Sequence, residues 1–338
     1  MKIIRPMDLT GTGVVESNAP GDGYTTWEPI GRSNQFSGDQ WSISGNTAYV
    51  IRSGMGGFID IYDISTGEKT GEIEADKDVV DSVSASPDGA FLAYVERNAF
   101  NPFEYRLFVR DLTTDQTVYS TNPFVSSYVF SSMAWSNNSS FFSYIRNSYF
   151  PVVIATGSWG TVNEGDNLLS QLSVGTVSTS YLGGSAINDS GELFVAVKAS
   201  GDSGTQSRLI KLSSSAAYID DAFISSSTTI LGVYLNGARG EVFAYGDSPG
   251  AMFSQSTLSS VTTPAILSGY AIWGMDESHD GSELAAWSLS VQPYTRRVAT
   301  ADYSSLTAFP TTESGRVSYA DDYFLVSAGS GEYEIVDL

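Results

Sequence analysis

The chain has 338 residues, with 38 Asp and Glu against 17 Lys and Arg and a formal net charge of -21. A surface of that sign repels phosphate backbones, so no nucleic-acid partner is expected. There is no cysteine, which excludes disulfides and thiolate metal sites, and no apolar stretch long enough for a membrane span, so no membrane insertion is expected.

Aromatic residues make up 12% of the chain, and Gly, Ser and Thr are abundant. That mix belongs to an all-β protein. Residues 1 to about 30 are punctuated by Gly and Pro, yet carry the apolar residues Ile3, Ile4, Met7, Val14, Val15, Tyr24 and Trp27. A purely solvated tail would hold fewer.

Beyond this arm a unit recurs: a tight turn followed by a strand. It runs through Ser44-Gly45 before Thr47–Val50, and Ser86-Pro87-Asp88-Gly89 before Ala90–Val95. Next come Asn138-Ser139 before Phe141–Ile145, Asp189-Ser190-Gly191 before Leu193–Val197, and Arg239-Gly240 before Val242–Tyr245. His279-Asp280-Gly281 before Leu284–Trp287, and Asp321-Asp322 before Tyr323–Val326, complete seven copies. The turn positions are 44, 50, 52, 49, 41 and 41 residues apart. A period of that size built from short strands predicts an all-β, seven-bladed β-propeller with an N-terminal extended arm. One four-stranded blade leaves its faces open, and stacking it against neighbours buries them. No long amphipathic helix is expected, and Asn167–Leu172 reads as a loop or short strand.

The last unit ends after Tyr333–Leu338 without a fourth strand. An open edge exposes unpaired backbone groups, so a strand from residues 24–36 is expected to complete it. The predicted organisation is therefore a docking arm, 1–23, and a propeller, 24–338.

Loops between the second and third strands of the units open onto one face. They, and the inter-blade loop at Phe124, carry Phe100, Phe103, Phe124, Tyr149, Phe150 and Tyr294 beside Asn, Asp and Gln. Flat rings stack on apolar sugar faces while amides bond hydroxyls, which makes this the expected binding face. His279, the only histidine, reads as an ordinary turn residue. Glu164-Gly165-Asp166-Asn167 lacks the spacing of an EF-hand. No catalytic residue, metal site or cofactor is expected.

The segments Ile3-Ile4-Arg5-Pro6-Met7 and Ser17-Asn18 through Pro20 and Tyr24 to Trp27 resemble the N-terminal segment of a group of tailed-bacteriophage virion proteins. In that group a short shared start precedes unrelated C-terminal domains, commonly tail-associated. The resemblance covers only these N-terminal residues. It implies a virion protein assembled in the host cytoplasm, whose arm (Ile3, Ile4, Arg5, Pro6, Met7, Tyr24, Trp27) docks on other virion proteins. The propeller, at the tail or baseplate, would then present a surface to the host, including host glycan, or to other virion proteins. The propeller units resemble WD-repeat propellers only generically, without the Trp-Asp signature of that class or the Asp-box of sialidases. Two other functions fit the sequence: a polysaccharide lyase or hydrolase, and a cellular scaffold propeller.

Overall fold

A computed structural model describes residues 25–27, 41–52, 56–66, 68–100, 104–125, 130–147, 149–247, 250–268, 271–278, 280–288, 295–306, 317–319, 323–327 and 333–337. The arm residues Ile3, Ile4, Arg5, Pro6, Met7 and Tyr24, and likewise Phe103, His279 and Tyr294, lie outside them.

The first strands are β1 (Thr25–Trp27), β2 (Trp41–Ser44), β3 (Thr47–Ile51), β4 (Phe58–Asp63) and β5 (Lys69–Glu74). They are followed by β6 (Val79–Ala85), β7 (Phe91–Arg97), β8 (Glu104–Asp111), β9 (Gln116–Ser120) and β10 (Phe124–Val125). Strands β2 to β5 form one antiparallel meander, and β6 to β8 another with both β9 and β10 on its outer side. The two outer strands divide β8 between them, β9 facing Phe108–Asp111 and β10 facing Glu104 and Tyr105. Thr121 bridges the gap: its N–H donates to the Leu107 carbonyl (3.0 Å) and its hydroxyl accepts from the Leu107 N–H (3.1 Å).

Next come β11 (Phe130–Trp135), β12 (Phe141–Arg146), β13 (Phe150–Ala155), β14 (Val162–Glu164), β15 (Val177–Ile187), β16 (Leu193–Gly201), β17 (Gly204–Leu212) and β18 (Tyr218–Ser225). After these run β19 (Ile230–Asn236), β20 (Glu241–Gly246), β21 (Ala251–Ser254), β22 (Ser260–Val261), β23 (Gly274–Glu277), β24 (Glu283–Trp287) and β25 (Thr295–Ala299). They make four meanders: β11–β14, β15–β18, β19–β22 and the three-stranded β23–β25. The final strands, β26 (Val317–Tyr319), β27 (Tyr323–Ser327) and β28 (Tyr333–Asp337), form a sheet with β1, which pairs antiparallel with β28 through Thr25↔Ile335, Thr26↔Glu334 and Trp27↔Tyr333. The chain divides into two compact units, one built from β1–β10 and β26–β28, the other from β11–β25.

Several of the repeated turns are closed by a polar side chain with little exposure. The Ser86 hydroxyl accepts from the Phe91 N–H (2.9 Å) and donates to Asp88 (2.6 Å), which accepts from the Ala90 N–H (3.0 Å). Ser136 and Asn138 repeat these bonds toward Phe141 and Ser140. Asn188 performs both roles alone, accepting from Ser190 (3.0 Å) and Glu192 (2.9 Å). Gly89 and Gly191 take left-handed backbone angles here, and Ser139 takes the same conformation (φ 56°) where the sequence offers no Gly.

A second repeat runs through the first strands of the sheets. The ladder of β6 slips between Val80 and Ser82, that of β11 between Ser131 and Ala134, that of β15 between Leu182 and Gly184, and that of β19 between Ile230 and Gly232. Each bulge holds a small residue, Ser82, Ser132, Gly184 or Gly232, four positions before the turn-closing Ser86, Ser136, Asn188 or Asn236. At β15 a small residue is required because the neighbouring sheet approaches there: a Cβ on Gly183 would overlap the Ile230 carbonyl oxygen, and one on Gly184 would crowd the Gly232 Cα. Between the sheets of β11 and β15 the Ser132 and Ser185 hydroxyls bond at 2.8 Å.

The apolar residues of the second and third strands are buried between sheets, as in Leu193, Phe194, Val195, Ala196 and Val197 of β16, all 0% exposed. One core cluster of the second unit joins Ile145 and Val153 to Val195 and Ile210, and another joins Phe194 and Leu209 to Ile230 and Val242. In the first unit Ile59, Val83, Leu92 and Phe108 share one.

Seven four-stranded blades were the expectation; six sheets reach four or more strands among the described residues, so there are six complete blades. In the sheet of β23–β25 the chain returns along β25 through a single bridge, Val298↔Ser305. The Tyr303 backbone takes a left-handed turn (φ 58°) and its ring is buried with Tyr234, Phe243 and Val298, and the returning chain pairs back on β25 only briefly, through the Ala299 N–H to the Ser304 carbonyl and the Leu306 N–H to the Arg297 carbonyl (both 3.0 Å), too short a run to make a fourth strand among the described residues. Asn167–Leu172 is also corrected: Leu168–Gln171 is a 3₁₀ turn, started by the Asn167 side chain accepting from the Leu169 N–H.

Candidate functional site

The sheet of β15–β18 is longer than the others of its unit. Strand β15 has 11 residues and β16 and β17 have 9 each, whereas β11 has 6. At ~3.3 Å per residue the extra length extends the hairpin by roughly 10–15 Å. The added end comprises Val177–Tyr181, Lys198–Gly201 and Gly204–Gln206, with one register shift, between Val177 and Thr179.

This end is lined with hydroxyls and carries two phenols. Ser178, Thr179 and Ser180 are exposed, and Tyr181 is 43% exposed. Ser178 donates to the Ser200 carbonyl (3.0 Å), and the Ser200 and Thr205 hydroxyls bond each other (2.8 Å). Tyr149 approaches from the β12–β13 connection, where Asn147 takes a left-handed turn and the Tyr149 N–H bonds the Arg146 carbonyl. Its phenol donates to Ser180 (2.6 Å) while its ring packs against the core cluster of Leu168 and Leu172. Lys198 sits opposite Tyr181 and is held by the Ser227 carbonyl (2.8 Å) and the Thr229 hydroxyl (3.1 Å). Burial, with the Asp247 carboxylate adding to it, pushes the Tyr181 phenol above its ordinary pKa, so it stays a neutral donor across the physiological range. A ring with fixed hydroxyls beside it suits a polyhydroxylated ligand, stacking on the apolar face of a sugar and bonding its rim.

Of the residues singled out from the sequence, Phe100 is 73% exposed, just after β7, where the neighbouring Ala99 N–H is held by Asp78 (3.0 Å). Phe124 is on strand β10 opposite Tyr105 rather than in a loop, because the divided outer edge of β8 takes it up. Phe150 begins β13, opposite Arg146 and half-buried, next to Tyr149. Phe100 and Phe124 belong to the first unit, Tyr149 and Phe150 to the second. Trp27 lies on β1. In the acidic run, Glu164 is ion-paired with Arg146. No group of three or more His, Asp or Glu that would hold a metal occurs among the described residues, and no helix among them is long and apolar enough to cross a membrane.

Sequence reasoning missed Ser178, Thr179, Ser180 and Tyr181. The signal was present as a run of hydroxyl residues, Ser173 to Tyr181 interrupted only by Val174, Gly175 and Val177, ahead of a turn-plus-strand unit. Nothing in that run says that it continues a strand beyond its neighbours.

Similar solved structures establish the architecture. A chain of the mitotic checkpoint complex matches with a TM-score of 0.64 at 11% identity, covering 93% of this chain and 90% of that one. The chain has a β-propeller fold. The propeller domain of Cps50 (Swd1) from Myceliophteria thermophila matches with a TM-score of 0.61 at 11% identity, over 93% of this chain and 99% of that one. Hydrazine synthase of Kuenenia stuttgartiensis matches at 0.59 and 11% identity, over 91% and 99%. At such identities the likeness is one of WD-repeat-like propeller architecture alone. No protein-family description matches the chain, and no curated protein is significantly similar to it.

Proposed function

We propose that the protein is a non-enzymatic recognition propeller of a tailed-phage virion, binding host-surface glycan with the lengthened end of β15–β17. The observation that carries this reading is the Tyr149 phenol bonded at 2.6 Å to the exposed Ser180 of the lengthened end, with Tyr181 exposed on the other face of the same strand. The virion placement rests on Ile3–Met7 and Ser17–Trp27, with Ile3, Ile4, Arg5, Pro6 and Met7 as the docking contacts and the other virion proteins as partners. Propellers include both enzymes and binding scaffolds, so function is argued from the surface.

A stacked ring contributes on the order of 1 kcal/mol, so single-site affinity is weak and multiple copies on a particle raise it. Incubation with host envelope polysaccharide is expected to give retention without cleavage. The Tyr149→Ala/Ser180→Ala double variant is expected to lose about fivefold or more in affinity. Unchanged retention removes this site, and released oligosaccharide replaces the reading with the lyase or hydrolase alternative. For the arm, a protein lacking residues 1–23 is expected to fold and yet be missing from purified particles by mass spectrometry. Its normal incorporation overturns the docking assignment.

A further inference from the structure

The chain has no cysteine, so no disulfide can staple its sheets. One turn carries the groups for another kind of covalent link. Lys211 on β17 is 4% exposed, and its ammonium lies 2.8 Å from Glu192 Oε1. The other oxygen of that carboxylate, Oε2, accepts from the Asn188 amide Nδ2, also at 2.8 Å. One carboxylate therefore holds an amine and a primary amide side by side. Lys211 is fixed further by the Gln255 carbonyl (2.8 Å) and by the Phe194 ring, whose centroid is 5.6 Å from Nζ.

The amide is also polarised. Asn188 Oδ1 accepts from the backbone N–H groups of Ser190 (3.0 Å) and Glu192 (2.9 Å), which fixes which end of the side chain is oxygen. Two backbone donors on one carbonyl oxygen stabilise the negative charge that forms there when a nucleophile adds to the carbon. A carboxylate bonded to an amine takes its proton and frees the lone pair. The neighbouring sheet shows that the turn itself does not need these groups. Phe142 and Phe194 each stand three residues after the left-handed turn position, and their cross-strand partners are Ile154 and Lys211. Ser140 occupies the place of Glu192. The turn closed by Ser136 and Asn138 forms there without either charge.

We propose that Lys211 and Asn188 are joined by an isopeptide bond that the folded chain forms by itself, with Glu192 as general acid and base. Glu192 takes a proton from the Lys211 ammonium, and the Nζ lone pair attacks Asn188 Cγ while the carbonyl pair moves onto Oδ1. Glu192 passes that proton to Nδ2 and takes a second from Nζ. The carbonyl re-forms, the Cγ–Nδ2 bond breaks, and ammonia leaves with the second proton as ammonium. One amide replaces another, with no oxidant or reductant. The bond ties the β15–β16 turn to β17 and is independent of glycan binding and of the virion placement.

Denaturing mass spectrometry of the full-length protein is expected to give a mass roughly 17 Da below that of the sequence, the loss of one ammonia. Tryptic digestion is expected to yield 147–198 covalently joined to 209–239, uncut at Lys211. Glu192→Gln and Lys211→Met are each expected to fold and to show the full sequence mass. Met supplies the apolar side chain that Ile154 provides in the neighbouring sheet. A parent protein at full mass overturns the proposal. Mass loss without the joined peptide also overturns it, assigning the loss to cyclisation at an asparagine, and so does a joined peptide or mass loss persisting in either variant. The parent's mass and peptides decide by themselves should a variant not fold.

Discussion

Deleting residues 1–36 is expected to lower stability sharply, and deleting residues 1–20 to leave it unchanged. The longer deletion removes β1, which pairs with β28 along Thr25–Trp27. It leaves Tyr333–Asp337 as an outer strand with a bare row of backbone groups. At about 0.5–1.5 kcal/mol for each lost hydrogen bond, before any packing, the cost is on the order of 2–4 kcal/mol. The shorter deletion stops before β1 and keeps every one of those bonds. Thermal and urea melts of the two truncations measure the difference. Equal melting temperatures would mean that β1 contributes nothing to the sheet it closes. Because the freed edge is a template for other chains, the longer truncation is also expected to aggregate during refolding.

Asn236→Ala is expected to cost about 3 kcal/mol, among the largest single-residue effects in the second unit. Asn236 is 1% exposed and closes a polar network that holds the returning chain after β25. Its amide donates to the Thr300 carbonyl (2.8 Å) and the Tyr303 phenol (3.0 Å), and its carbonyl accepts from the Arg239 N–H (3.1 Å). Tyr303 donates in turn to Glu241 (2.9 Å), which Arg239 grips through Nε (2.9 Å) and Nη2 (3.1 Å). Alanine leaves several of these groups buried without partners, which costs more than the bonds themselves are worth.

The same network makes stability depend on pH. Burial alone would raise the Glu241 pKa, but the hydrogen bonds from Arg239 and Tyr303 outweigh it and hold the carboxyl below the ordinary value. A depressed folded-state pKa adds stability above the unfolded value, about 4.3, and that stability is lost as pH falls through the folded value. Glu241→Gln is therefore expected to be less stable than the parent at neutral pH and to approach it in acid. Denaturant melts across that range check this, and a constant difference between the two proteins would remove Glu241 as the source of the slope.

The architecture was legible because its local parts are set by local chemistry. A turn closed by Ser86 and Asp88 and relaxed by Gly89 needs only neighbouring residues, so its recurrence at 139, 191 and 240 could be counted along the chain. Strands between turns follow from runs such as Leu193–Val197, which are buried on both faces. The number of complete blades was not legible. It depends on how far the chain after β25 pairs back along that strand, and the turn there is anchored by Tyr303, which reaches Asn236 and Glu241, 67 and 62 residues earlier.

The surface divides in the same way. The aromatic residues at Phe100 and Tyr149 were visible as types, but burial is a property of neighbours. Phe100 stands in solvent, while the Tyr149 ring is partly packed on Leu168 and Leu172 and bonded to Ser180. Tyr181 gave no signal because a strand's exposure depends on where its sheet ends and what lies beside it. The sequence by itself determined the repeating turn, the strand pattern and the acidic surface, since each arises from residues in contact along the chain. Tertiary structure decided the incomplete blade and the lengthened β15–β17 end, since each depends on contacts between segments that only folding brings together.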